Sequence, residues 1–236
     1  MLFDGLSVAQ TAGRKVCGRR MIDSAFLAPR RCLLEPIAEI WTAARLLHEA
    51  VDAHLSGETH RAETLICEAD FPAIARWTES IWGHRNQNVH RYRSVSDAPP
   101  SLAKEMRPQP RMPNRETQLR VKERDGLFCR FCGVPVIDKS IRTRIRSVYP
   151  CALRWGRRNA EQHAAFQCMW LQYDHILPNS RGGESSVENV VVTCAPCNFG
   201  RMEWTLEEVG LMDPRIAVVS PSRGAAAKWN GLEEFV

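Results

Sequence analysis

Between Leu34 and Leu55 the apolar positions Ile37, Ile40, Trp41, Ala44, Leu47, Val51 and Leu55 recur at spacings of three and four. That period predicts one helix with a single buried face, and Gly57 supplies its stop. The same spacing over Ala62, Leu65, Ile66 and Ala69 predicts a second, shorter helix. A third begins after Asp70, takes Pro72 in its first turn, where a missing N–H is tolerated, and ends before Gly83. Trp41, Trp77 and Trp82 are expected where these helices meet. His48, His54 and His60 do not share one helical face, so they read as solvated or capping side chains.

From His84 to Asn114 the periodicity vanishes, and Pro99, Pro100, Pro108, Pro110 and Pro113 interleave with Arg91, Arg93, Arg107 and Arg111. Proline removes amide donors and breaks regular structure. This stretch reads as a linker or an extended arm, tracking a nucleic-acid backbone or wrapping across a second domain. The expected organisation is a helical domain at 1–83, the arm at 84–114, the second domain at 115–210 and a tail at 211–236. The second domain opens with a helix from Arg115 to Arg124 closed by Asp125 and Gly126, then a short strand over Val134 to Ile137. Residues 138–170 read as an insertion of two helices separated by Pro150. Ile141, Ile145 and Val148 form the apolar face of the first and Arg142, Arg144 and Arg146 point elsewhere; Ala164, Ala165, Cys168 and Met169 form the face of the second. Leu171 to Ile176 then reads as a strand, Ser180 to Gly183 as a loop, Val190 to Thr193 as a second strand and Pro196 to Met202 as a helix.

Composition adds bounds. With 44% apolar and 25% charged residues the balance is globular. No apolar run approaches the roughly 18 to 20 residues that span a bilayer, and the opening residues lack a basic segment followed by an apolar one. The expectation is a cytoplasmic protein with no membrane partner. The net charge of +5 is unevenly spread: residues 101–170 carry 15 basic against 6 acidic side chains, while residues 1–100 carry 12 of each. A basic stretch containing Arg142, Arg144 and Arg146 suits a polyphosphate partner. The balanced first part suits contact with another protein.

Of nine cysteines, Cys129 and Cys132 form one CxxC pair and Cys194 and Cys197 a second. In a reducing compartment such pairs bind metal more often than they form disulfides. Two pairs complete a tetrahedral four-thiolate site with no open position, the pattern of structural Zn2+. Cys17, Cys32, Cys67, Cys151 and Cys168 are expected as small buried apolar side chains.

Between and beside the pairs stand Tyr173-Asp174-His175, Asn189 after Glu188, and Asn198 directly after Cys197. In this order and frame, over roughly residues 115 to 210, the chain resembles the HNH endonucleases, with the insertion as its main departure. The resemblance implies an α+β chain in which the helical domain precedes a ββα-metal, treble-clef-like nuclease domain. It implies His175 as general base, Asp174 and Asn198 as ligands of a catalytic divalent ion, Asn189 as a brace for the intervening loop, and Arg201 and Arg181 as phosphate contacts. The residue types suit that chemistry, since imidazole titrates near neutrality and can take a proton from water. Many relatives carry His where this chain has Asn198. An amide oxygen leaves an all-oxygen ligand set that suits Mg2+ or Mn2+. The expected function is hydrolysis of nucleic acid, DNA above all, in a restriction, anti-phage or mobile-element system whose protein partner docks on the helical domain. The alternative is a zinc-stabilised nucleic-acid-binding or adaptor module without catalysis.

Overall fold

In the computed structural model, which describes residues 28–82, 89–216 and 229–235, helix α1 (Ala38–Leu55) buries Ile40, Leu47 and Val51 together with five residues between and around them, four of which are alanines. The small side chains let α2 (Thr59–Glu68) pack closely through Ala62 and Ile66, and α3 (Pro72–Trp82) adds Ile74, Trp77 and Ile81. Gly57 ends α1 in the left-handed region, at φ 79°. The boundary expected at residue 83 and half of the tail, 217–228 and 236, lie outside the described residues.

Two antiparallel strands come later in the chain. β1 (Leu171–His175) pairs with β2 (Val190–Cys194), Leu171 facing Cys194 and His175 facing Val190. β2 is buried throughout, which its Val190-Val191-Val192 run dictates, and it passes without a loop into α7 (Ala195–Arg201), with Pro196 in the first turn. Helix α4 (Arg115–Asp125) starts at Asn114, whose side chain accepts from the Thr117 amide at 2.8 Å, and ends at Asp125, which accepts from the Val192 amide at 2.9 Å. The insertion contributes α5 (Lys139–Val148), capped by Asp138, and the short α6 (Ala164–Cys168). Seven helices and one small sheet make an α+β architecture among the described residues.

The helical first part and the strand-bearing second part share one apolar core. The two parts come close together at Gly200 on α7. A Cβ there would stand 2.4 Å from a methyl of Ile81 and 2.9 Å from one of Leu33, so only glycine admits α3 at this distance. The Trp82 indole N–H donates to the Ala195 carbonyl at 3.2 Å, and Asp70 accepts from the Ala164 amide at 2.7 Å and from Arg154 at 2.8 Å. Residues 89–114 wrap across the second part: the Arg93 amide donates to the Glu208 carbonyl at 2.9 Å and the Leu102 amide to the Ser180 carbonyl at 2.7 Å.

Several expectations are corrected. Residues 134–137 form no strand, only isolated bridges from Phe128 to Pro135 and from Ile137 to Trp170, because Pro135 interrupts the ladder. On α5, Val148 is exposed and Arg142 is buried, its guanidinium 3.6 Å from the centre of the Trp155 ring and 4.8 Å from that of Trp170. Arg142 therefore belongs to the packing and presents no charge to a nucleic acid, whereas Arg144 and Arg146 are exposed. His54 is neither solvated nor a cap: it stacks on Phe235 and bonds the Tyr149 hydroxyl at 2.9 Å. Leu55 lies exposed, and Trp41 and Trp82 are only partly buried beside the buried Trp77. Cys32 and Cys168 are buried but Cys67 and Cys151 are exposed, while Cys17 lies outside the described residues.

Candidate active site

The turn after α4 and the start of α7 bring all four CxxC thiols together. The sulfur atoms of Cys129, Cys132, Cys194 and Cys197 lie within 4.8 Å of one another and all four residues are buried. Cys132 and Cys194 stand 3.6 Å apart, near the roughly 3.8 Å edge of a tetrahedron with zinc–sulfur bonds of about 2.3 Å. Burial pushes the Cys132 thiol well up and that of Cys194 to about 12, while hydrogen bonds from the other three thiols lower Cys129 in spite of its burial. Four thiolates cannot share this volume without a cation, so the donor set fits Zn2+. Because Cys194 ends β2 and Cys197 lies on α7, such an ion would fix the strand–helix junction.

His175 closes β1. Its Nε2 lies 2.9 Å from the Ser185 hydroxyl, which is also 2.9 Å from both the Pro110 and the Arg111 carbonyls. Two carbonyls can only accept, and the hydroxyl has one proton to give; the bonding is satisfied when Nε2–H donates to Ser185, leaving Nδ1 as the lone-pair nitrogen. Desolvation first, then Arg201 and Arg111, lower the His175 pKa to about 4, so the ring is neutral at pH 7.

The loop between the strands is stitched by Asn189. Its side-chain oxygen accepts from the Leu177 amide at 2.9 Å, and its NH2 donates to the Leu177 and Glu184 carbonyls at 3.1 and 2.8 Å. Gly183 is required here, since a Cβ would fall 1.7 Å from the Leu177 carbonyl oxygen. Asn179 adds bonds to the Gly183 and Pro108 carbonyls.

Asp174 and Arg201 form a buried pair. Arg201 is 1% exposed and its fork meets both carboxylate oxygens, while further N–H groups donate to the carbonyls of His175, Ile176 and Trp204. Burial raises the Asp174 pKa and Arg201 opposes the rise. Arg201 is thus no phosphate contact: a helix buried on nearly every side leaves it nowhere to point but inward. Arg181 is spent likewise, donating to the Pro99 and Glu203 carbonyls and to Glu208.

Asp174, His175 and Asn198 border one cleft of about 500 Å³, with Gln172, Arg107, Arg111 and Phe199 also on its walls. The Asn198 NH2 donates to the Gln172 side-chain oxygen at 3.4 Å, which leaves the amide oxygen of Asn198 available. Residues 165–205 match the HNH endonuclease family. The chain carries an HNH segment. No curated protein and no solved structure matches the chain. The HNH segment spans α6, both strands and α7, and with them Asp174, His175, Asn189 and Asn198. This family is one of nucleases, so its match points to hydrolysis of nucleic acid. No helix among the described residues is long and apolar enough to cross a membrane.

Ser185 and Gln172 were not legible as site residues, and Arg107 and Arg111 were legible only as charges on an arm that tracks a nucleic-acid backbone or wraps across the second domain. The two arginines sit among prolines and carry a signal of charge alone. Nothing in the sequence marks Ser185, whose partners are main-chain carbonyls.

Proposed function

We propose that the protein is a metal-dependent endonuclease that hydrolyses phosphodiester bonds in DNA, with His175 as general base. One observation carries this reading: a neutral imidazole, tied at Nε2 by Ser185, borders the same cleft as the oxygen donors Asp174 and Asn198. Those donors suit a hard cation. Each Asp174 oxygen keeps a lone pair after bonding Arg201, and the Asn198 amide is fixed by Gln172. Bound there, Mg2+ or Mn2+ would supply Lewis-acid charge to the scissile phosphate.

The residues of the chain do the rest. Ser185 holds the ring so that Nδ1 takes the proton of the attacking water. Arg111 depresses the basicity of His175 in the free protein; an entering phosphate cancels part of that effect and strengthens the base as substrate binds. Arg107 and Arg111 place positive charge where the strand must run. Arg201 and Asn189 keep β1 and the loop in register without touching substrate. The four-cysteine site holds Zn2+ as a structural ion. The charge balance of residues 1–100 supports a protein partner there, in a restriction, anti-phage or mobile-element system.

Incubating the protein with plasmid, single-stranded DNA and RNA, with Mg2+ and without it, tests the reading beside a His175→Ala control. Wild type should cut DNA, and the variant should lose about 10²- to 10⁴-fold in rate while binding and zinc content persist. Binding without cleavage by the wild type would leave a zinc-stabilised nucleic-acid-binding module.

A further inference from the structure

Three apolar side chains stand exposed on the walls of the cleft: Phe199 at 42%, Met202 at 44% and Met112 at 55%. Singly, exposed apolar residues need no explanation. Here they converge from α7, the turn after it and the arm. Phe199 directly follows Asn198, and its ring meets Trp82 edge-on at 5.5 Å and Trp170 at 6.1 Å, so it is held from behind while part of it remains open. Met202 sits at φ 55° and ψ −126°, a conformation that L-residues rarely adopt, and its side chain is still directed to the cleft. Between these groups runs unpaired positive charge. The Arg111 guanidinium makes no hydrogen bond or ion pair among the described residues, and Arg107 is anchored only through Nε, to the Leu102 carbonyl at 3.0 Å.

A stacked duplex shows proteins the edges of its bases and its phosphates, not its base faces. A fixed aromatic ring flanked by two methionines, the unpaired guanidinium of Arg111 and that of Arg107, held only at Nε, matches a strand whose bases are splayed: backbone on the arginines, a base face on the ring. We propose that the substrate at the cut is unpaired DNA, with Phe199 as the stacking surface beside the metal ligand Asn198 and Arg107 and Arg111 as backbone contacts. The inference rests on the nuclease reading only for the word cut; the binding mode stands by itself.

The test uses His175→Ala protein with its zinc retained and no added Mg2+, so that binding is read without cleavage. Fluorescence anisotropy compares a short oligothymidine, the same backbone with abasic positions throughout, and a fully paired duplex. The oligothymidine should bind about 5- to 100-fold more tightly than the abasic strand, and more tightly than the duplex. Phe199→Leu, which keeps apolar volume behind the ring position, should collapse that preference toward unity, and Phe199→Tyr should keep it. Arg111→Ala should weaken oligothymidine and abasic strand alike and reduce the salt slope. Equal binding of the two strands, a preference that survives Phe199→Leu, or tighter binding of the duplex would each overturn the proposal. Cleavage of fully paired DNA by the wild type, combined with any of those results, would leave the nuclease reading standing without it.

Discussion

Helix α3 and the arm of residues 89–114 both hold the unit that runs from β1 to α7, but α3 does so with buried side chains and the arm with main-chain carbonyls. α3 presses Ile81 against Gly200 and packs Trp82 along the start of α7. The arm offers the carbonyls of Pro99, Pro108, Pro110 and Arg111 to Arg181, Asn179 and Ser185. Apolar contact removes surface from water and adds directly to stability. Hydrogen bonds exchanged with water add little net free energy, yet they fix direction. The first joint should therefore govern whether the unit is folded, and the second how well His175 is aimed.

The largest effect removes what both joints hold. Cys194→Ser, or stripping of zinc by a strong chelator, should unfold the β1 to α7 unit and abolish cleavage, since the free energy of a structural zinc site is of the order of 10 kcal/mol and is coupled to folding. Elemental analysis with circular dichroism checks it; a zinc-free protein with native helix and strand signal would contradict the structural role.

Next comes Arg201, which both joints leave inside. Arg201→Ala strands the Asp174 carboxylate in the interior and should cost about 3–5 kcal/mol in urea unfolding. Arg201→Lys keeps the charge but cannot form the fork, so it should also destabilise, and where it still folds the salt slope of DNA binding should match wild type. A slope reduced by about one would restore Arg201 as a phosphate contact.

Gly200→Ala and Ser185→Ala separate the joints. The new methyl group overpacks against Ile81 and should cost about 1–3 kcal/mol of stability, with kcat nearly unchanged at a temperature where the protein is folded. Ser185→Ala should barely move the melting temperature but lower kcat by roughly 10-fold, with KM little altered, because the ring loses its tether and the lone pair its aim. Ser185→Thr should recover much of the rate. Parallel losses of stability and rate in both variants would erase the distinction between the joints.

Much of this was legible because it depends on side-chain type in order. The period of three and four gave α1 and α2 to within a few residues, Asp70, Pro72 and Gly83 bounded α3, Gly57 marked the end of α1, and the CxxC pairs implied a cluster that the structure draws together. Arg201 was misread because spacing along α7 says which residue follows Asn198 by a turn, but not that this seven-residue helix is enclosed on nearly every side. Arg142 was misread because its partners, Trp155 and Trp170, are distant in sequence and only the fold stacks them against it. The contribution of the arm was hidden for a deeper reason. Every residue owns a carbonyl, so no residue type announces that Pro110 and Arg111 would hold Ser185.

The smallest effect sharpens the comparison through pH. His163, at the N-terminal edge of α6, is 0% exposed; its Nε2 meets the Ile66 carbonyl at 2.8 Å, and Nδ1 has no hydrogen-bond partner. Asp70, 3.9 Å away, favours the protonated ring and Arg154 disfavours it, but burial dominates and the folded pKa lies below the ordinary value. Between that folded value and the ordinary pKa near 6.5, the unfolded chain binds the proton that the folded one refuses. Stability is therefore complete above about pH 6.5 and is lost as pH falls toward the folded value. Urea unfolding between about pH 5 and 8 should show this slope added to that of His175, whose folded pKa of about 4 acts in the same direction, and His163→Gln should reduce it to the His175 part, since the amide can still donate to Ile66 but cannot titrate. Because His163 ties α6 to α2 and makes no bond to the arm, the quickening of hydrogen exchange over the same range that His163→Gln removes should lie at α2 and α6 and not at the Leu102 and Arg93 amides of the arm. Exchange that quickened equally in both places would mean that the helices and the arm open as one unit, and that the two joints are not independent.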